Sequence, residues 1–267
     1  MISSDYHIHT LFSPDSSENI EDIIKTAISL NFKEIAITDH VDFLYPGLEF
    51  QHDIDIAKYV SIIEELAQLY KDKIKVRLGL ELGLRPDVKD KSTDITLAHN
   101  FDFIIGSTHD YFGQDWYYPE VYKTKSKKEI YNLYFEHMLD IVNTCDCFDV
   151  LGHIDYIERY ARYEDKTLRY SDYADIIDTI LQKAIQKGKG IEINSSGYAY
   201  GLNHPHPQKE IIQKYVELGG EIITIGSDSH TKARIGANFD IIYDMIQSIG
   251  IKYLANFEKR KPIFYKI

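Results

Sequence analysis

Asp5-Tyr6-His7-Ile8-His9-Thr10, with Asp15 six residues beyond His9, is the stretch whose reading decides the fold. Successive side chains of an extended strand point to opposite faces, so His7 and His9 project together from one face. Two imidazoles side by side at a strand end can share a divalent metal. An H-x-H pair alone is weak evidence, because a lone histidine is more often a hydrogen-bonded core residue. The pair gains weight from five later segments that also end in His, Asp or Glu.

Outward from this stretch, short apolar runs alternate with helical periodicities. Strands are read at 4–9, 34–38, 76–82, 103–106, 148–151, 190–193 and 222–225. Helices are read at 18–30, 56–71, around 127–143, 173–186, 208–218 and near 239–249. In the first of these, Ile20, Ile23, Ile24, Ala27 and Ile28 share one face. Lys187-Gly188 and Gly219-Gly220 are stop signals, and Lys259-Arg260-Lys261 reads as a solvated basic tail. Seven strand–helix alternations predict an α/β fold with a parallel sheet. The polar residues follow each apolar run, at the carboxyl end of the strand. In a closed (β/α) barrel those ends converge on one face, whereas an open doubly wound sheet scatters them along an edge. A barrel of seven units, distorted relative to the usual eight, is expected.

The 267 residues contain no linker, low-complexity tract or internal repeat, so one domain over 1–267 is expected. A hydrophobic fraction of 44% supports a substantial core. The apolar runs are strand-length, so no membrane span is expected, and the N-terminus does not read as a secretory signal. Cys145 and Cys147 are too few for a disulfide framework, which suggests a reduced, cytoplasmic setting. The net charge of −12 argues against a nucleic-acid partner bound through a basic surface. A local metal centre can still attract an anionic small molecule.

The strand ends supply His7, His9, His40, Glu81, His109, His153, Asp228 and His230, and the first loop adds Asp15. These nine N/O donors suit Zn²⁺, Mn²⁺ or Fe²⁺, and no cysteine belongs to the set. Nine ligands are too many for one ion and fit three, with Glu81 the best-placed carboxylate to bridge two of them. Three divalent ions against three carboxylates leave a positive surplus that a hydroxide and a phosphate dianion would neutralise. Such a centre suits an anionic ester.

The motifs D-Y-H-I-H-T, I-T-D-H, G-L-E, G-S-T-H-D, L-G-H-I-D, E-I-N-S-S-G and G-S-D-S-H occur in that order over nearly the whole chain. As a set they resemble the PHP (polymerase and histidinol phosphatase) superfamily. T-D-H-x-D-F at 38–43 and N-S-S-G at 194–197 resemble its monofunctional histidinol-phosphatase branch. The resemblance implies a distorted (β/α)7 barrel with a trinuclear centre. It places His7, His9, Glu81 and Asp228 on one ion, Glu81, His109 and His153 on a second, and Asp15, His40 and His230 on a third. The implied activity is hydrolysis of L-histidinol phosphate by a metal-bridging hydroxide. One departure stands out: relatives often carry a basic residue soon after N-[ST]-S-G, and this chain has Tyr198-Ala199-Tyr200. Arg159 or Arg162 is expected to supply the charge that holds phosphate.

Glu81, Asp228, Asp42 and Arg159 are therefore the candidate catalytic residues. Asn194, Ser195, Ser196, Tyr198 and His206 are candidate substrate contacts, together with Arg159, Arg162 and Asp42. Tyr198, Tyr200, His204 and His206 read as a loop on the pocket rim, and Asp42 with nearby tyrosines as a partner for the substrate's ammonium and imidazole. Asp42, Asp110 and Asp155 are candidate proton donors to the leaving group, by proximity to ligands alone. His52, His99 and His137 read as structural or solvated, and Asp5 and Asp39 as carboxylates that orient neighbouring histidines. Two other functions compete with this one. One is a related PHP phosphoesterase acting on nucleotides, nucleic-acid ends or phosphotyrosine. The other is a non-catalytic metal-binding regulatory module.

Overall fold

The computed structural model describes residues 2–43 and 54–267. Seven strands run parallel in sequence order: Ser4–Asp5, Glu34–Ile37, Lys75–Gly83, Phe103–Ser107, Val150–Leu151, Gly190–Asn194 and Ile223–Gly226. The seam between the seventh and the first is joined by Tyr6 N donating to Ile225 O (2.9 Å) and His9 N to Ser229 O (2.9 Å). The result is the expected distorted seven-stranded barrel with helices outside. His40–Asp42 forms a further short strand beside the third, with His40 opposite Glu81.

Local chemistry explains the helices. Asn19 caps Ile20–Ser29 by accepting from Glu21 N, and Ile20, Ile23, Ile24 and Ala27 are buried against the sheet. Ser126 and Glu129 form a reciprocal capping box at the start of Lys127–Thr144. The helix Lys89–Ala98 has no counterpart in the sequence reading. Only Ser92 and Thr96 of it are buried, so it carries no apolar stripe to announce it.

The C-terminal basic segment leaves Lys259 and Lys261 exposed, as expected, but forms a hairpin turn in which Arg260 is anchored. Tyr253–Glu258 and Lys261–Lys266 pair antiparallel, joined by Lys259 and Arg260 at φ of 50° and 64°. Two left-handed residues make the tight turn that suits a two-residue hairpin, without the usual Asn-Gly signal. Arg260 donates from Nη2 to Cys147 O (2.9 Å) and from Nε to the Asp149 carboxylate.

This hairpin seals the barrel's amino-terminal mouth. Tyr6, Ala36, Phe103, Ile105 and Val150 cluster with Ala255 and Phe257, apart from the core between sheet and helices. The Phe103 ring lies 5.0 Å from both Tyr6 and Phe257, and Phe257 N donates to Tyr6 Oη (2.8 Å). Phe103, Ile105 and Ser107 share one face of their strand, so the interior grades from aromatic below to polar above. At the upper end Ser107 Oγ donates to Glu81 (2.7 Å).

Phe257→Ala removes the buried centre of this plug. A loss of about 3–5 kcal/mol in urea-unfolding stability is expected, the usual cost of truncating a buried aromatic. A loss below about 1 kcal/mol would show that the hairpin contributes little to closing the barrel.

Candidate metal centre

Glu81, 1% exposed near the end of the third strand, is the hub. Its Oε2 lies 3.1 Å from His7 Nε2, 3.4 Å from His9 Nε2 and 2.9 Å from His40 Nδ1. Its Oε1 lies 3.1 Å from His109 Nε2 and 2.9 Å from His153 Nε2. Asp228 Oδ1 closes the other side, 3.4 Å from His9 Nε2, 3.5 Å from His230 Nδ1 and 3.8 Å from His7 Nε2. Asp15 Oδ2 sits 2.9 Å from His230 Nε2 and 3.9 Å from His40 Nε2. Asp228 has φ of 51°, a left-handed backbone uncommon outside glycine and typical of functional sites.

Three trios bring their ligand atoms within 4.8 Å of one another: His7–His9–Glu81, Glu81–His109–His153 and His9–His40–His230. Two further trios meet the same distance, His40–Asp42–His109 and Asp155–Glu158–His204.

A surrounding layer turns the imidazoles inward. His7 Nδ1 lies 2.6 Å from Glu192 Oε1, and His109 Nδ1 lies 2.8 Å from Asp42 Oδ1. A carboxylate only accepts, so each Nδ1 carries a proton, which leaves Nε2 as the nitrogen that can turn to a metal ion at the centre. His9 Nδ1 meets Ser13 Oγ at 3.0 Å, and that hydroxyl donates to Asp39 (2.6 Å). Asp39 also accepts from Thr10 N (2.6 Å) and Thr10 Oγ1 (2.7 Å), fixing the loop below Asp15. Asp5 acts on the backbone instead, accepting from Ser227 N (2.9 Å), Ser227 Oγ (2.6 Å) and Gly236 N (2.9 Å) across the seam. Gly226 is small of necessity, since a Cβ there would collide with Glu192 Oε1 and His7 Cβ.

The inward-facing atoms fit metal ions. His7 Nε2, His9 Nε2, His40 Nδ1, His230 Nε2 and Glu81 Oε2 are buried without a hydrogen-bond partner. Buried polar atoms rarely go unsatisfied, and here they face a common centre that a cation would satisfy. Burial raises the Glu81 carboxyl, yet His7, His40 and His109 outweigh it and hold Glu81 well below its ordinary range. Burial likewise works against a charge on His40, but Glu81, Asp15 and Asp42 lift it to about 9. His9, buried among His230 and His40, is pushed well down and stays neutral.

Residues 5–196 match the family model described as the PHP domain. The chain belongs to the PHP domain family. A "Probable histidinol-phosphatase" of Clostridium acetobutylicum is 39% identical over 96% of this chain and 97% of its own length. The histidinol-phosphatase of Lactococcus lactis is 32% identical over 96% of this chain and 95% of its own. The solved structure of the Lactococcus lactis histidinol phosphate phosphatase, complexed with zinc, L-histidinol and phosphate, superposes with a TM-score of 0.90 at 31% identity, covering 98% of both chains.

Within this PHP barrel the other expected site residues fall into distinct places. Arg159 is 8% exposed in its side chain, with Nη1 3.5 Å from Asp228 Oδ2. Arg162 is exposed and makes no ion pair with the cluster. Asn194 lies behind the centre, donating to Glu192 Oε2 (3.1 Å), and Ser196 Oγ donates to Asp228 Oδ2 (3.1 Å). Ser195 Oγ is buried without a partner, and Tyr198 is half-buried. His206 does not line a rim: it is fully buried against Asp155, whose other oxygen accepts from Gln208 N (2.8 Å). Asp155 is therefore engaged at both oxygens, and Asp110 is paired with Arg85 (3.1 Å). Of the three expected proton donors only Asp42 borders the cluster.

His137 is buried under Tyr111 and Phe112, and burial lowers it to about 4. His99 is half-buried at a helix end, and His52 lies outside the described residues. The sequence reading assigned no role to Glu192, Ser13 or Tyr156. Glu192 had a signal, a charge at the centre of the apolar run Gly190-Ile191-Glu192-Ile193. Tyr156 stacks on His153 at 4.5 Å, a contact no spacing reveals.

Two outcomes are expected. Glu192→Gln frees the His7 tautomer and is expected to weaken zinc binding by roughly 10–100-fold, measured by chelator competition; unchanged affinity would remove Glu192 from the site. Metal ligation requires neutral imidazole, so loading expels protons from histidines charged in the metal-free protein. Zinc calorimetry in buffers of differing ionisation enthalpy is expected to show proton release at pH 7 that shrinks as pH rises through about 9. No buffer dependence at pH 7 would contradict a charged His40.

Proposed function

We propose that the protein hydrolyses L-histidinol phosphate to L-histidinol and phosphate with three divalent ions, drawn from zinc, manganese and iron. The nine expected donors would hold them, with Glu81 shared between the sides carrying His7 and His9 and those carrying His109 and His153. The observation that carries the reading is this two-sided carboxylate, with a buried arginine beside Asp228 at the same centre. The resemblance to a relative solved with zinc, L-histidinol and phosphate supports the substrate.

Bound divalent ions supply a nucleophilic water at neutral pH and neutralise charge on the phosphoryl oxygens. The chain's own groups do the rest. Asp42 and Glu192 keep His109 and His7 in the tautomer that offers Nε2 to the centre. They also add negative charge, so the positive surplus is smaller than the nine ligands alone suggest, and Arg159 restores part of it. The Arg159 guanidinium is held beside Asp228 with Nε unpartnered, ready to donate to phosphoryl oxygens. Ser195 offers a second unspent donor.

Asp42 is committed to His109, which leaves Asp115 as the better partner for the substrate's ammonium. Asp115 is 2% exposed, makes no ion pair among the described residues, and is pushed up to about 6 by burial and by Asp42. Trp116 beside it donates from its backbone N to His109 O (3.3 Å), tying that turn to the centre. Tyr156, stacked on His153, offers a flat wall to the imidazole.

The same reading takes 1–267 as one domain, since the C-terminal hairpin completes the barrel. It places the protein in the cytoplasm, consistent with Cys145 and Cys147 as buried free thiols. Among the described residues no helix is long and apolar enough to cross a membrane.

Steady-state assay of metal-quantified protein tests the proposal, with nucleoside monophosphates, phosphotyrosine and p-nitrophenyl phosphate beside histidinol phosphate. A kcat/KM preference of about 10⁴-fold for histidinol phosphate is expected, as for a site that hydrogen-bonds its substrate. Glu81→Ala should abolish turnover. Preference for another ester would discard the substrate, and no turnover of any ester with three metals bound would leave a binding module.

A further inference from the structure

Tyr200 follows the N-S-S-G run at the end of the short helix Ser196–Ala199. It lies on no metal ligand, yet two arginines from different loops meet its ring. The Arg159 guanidinium carbon, from the loop after the fifth strand, is 3.2 Å from the ring centroid. That of Arg234, from the loop after the seventh strand, is 5.6 Å away. Arg159 is further boxed by Tyr160 at 4.9 Å and Tyr156 at 5.5 Å.

Between them the two guanidiniums have a single carboxylate partner among the described residues. Among the described residues the carboxylate within ion-pair reach of Arg159 is Asp228 at 3.5 Å, and Arg159 Nε is buried without a partner. Arg234 makes no ion pair among the described residues. Gathering two like charges around one ring is unfavourable unless the ring face attracts both and an anion arrives between them. Guanidinium planes stack on aromatic faces while their N–H edges stay free for phosphate oxygens, and ammonium groups cannot do this.

We propose that Tyr200 is a positioning residue that gathers Arg159 and Arg234 into a two-guanidinium clamp for the peripheral oxygens of a phosphate dianion. The aromatic ring thus recruits charge from the two flanking segments. This rests on the phosphatase reading of the same centre, and phosphate binding can be measured without turnover.

The test is calorimetric binding of inorganic phosphate to metal-loaded protein, with KM and kcat for histidinol phosphate measured in parallel. Tyr200→Leu should weaken phosphate binding and raise KM by about tenfold, with a smaller fall in kcat. Metal content and melting temperature should be unchanged, since Tyr200 is 42% exposed. Tyr200→Phe keeps the ring and should lose at most about twofold in phosphate affinity. Arg234→Gln should weaken phosphate binding alone but add little in the Tyr200→Leu background, because the two act as one unit.

Unchanged phosphate affinity in Tyr200→Leu at full metal content would overturn the clamp, as would equal losses in the Phe and Leu variants. Strict additivity with Arg234→Gln would overturn it as well. Ring-dependent phosphate binding in a protein that turns over no ester would keep the clamp and sink the phosphatase. Histidinol phosphate turnover indifferent to Tyr200 would do the reverse.

Discussion

A carboxylate buried to 1% exposure with five imidazoles around it is the constraint on which this structure depends. An ionised group removed from water costs several kcal/mol unless opposite charge surrounds it. Glu81 meets that requirement in either of two states, with protonated histidines or with metal ions among neutral ones. Histidine is the side chain whose charge can be exchanged for a metal's without moving the scaffold. The surrounding carboxylates Asp42 and Glu192 serve both states, pairing with imidazolium in one and setting the tautomer in the other.

The barrel separates this expensive chemistry from the apolar work of folding. Tyr6, Phe103 and Phe257 fill the lower interior, while the helices cover the outer face. Within single strands the division passes from one inward residue to the next, from Phe103 and Ile105 to Ser107. Inward glycines such as Gly226 make the crowding at the top possible. The packed lower half holds the upper side chains in register.

The barrel and the convergence of the candidate donors were legible because both are local signals. A run such as Phe103-Ile104-Ile105 followed by His109 announces a strand and its functional end within a few residues. What escaped depends on distance. Glu192 meets His7 across 185 residues, and no spacing predicts that partnership. Arg260 read as solvated along with its exposed neighbours because its anchor, Asp149, lies 111 residues upstream. His206 read as rim because it stands in a Gly/Pro loop, but burial follows from Asp155 beneath it. The Tyr198-Ala199-Tyr200 departure was visible as a missing charge, and only three dimensions show which arginines its ring attracts.

The plug beneath the barrel has a consequence for how the protein is made. Phe257 and Tyr6 contact each other across 251 residues, and Asp5 reaches Ser227 across 222. A chain emerging from the ribosome amino end first therefore carries His7 and His9 long before the elements that confine them exist. Contacts of such sequence separation close late. Before residues 223–257 are made, His7 and His9 lack both the seventh-strand partners and the plug that confine them. Metal choice by the finished centre is then a property of the closed barrel, acquired only once the hairpin at 253–266 is in place.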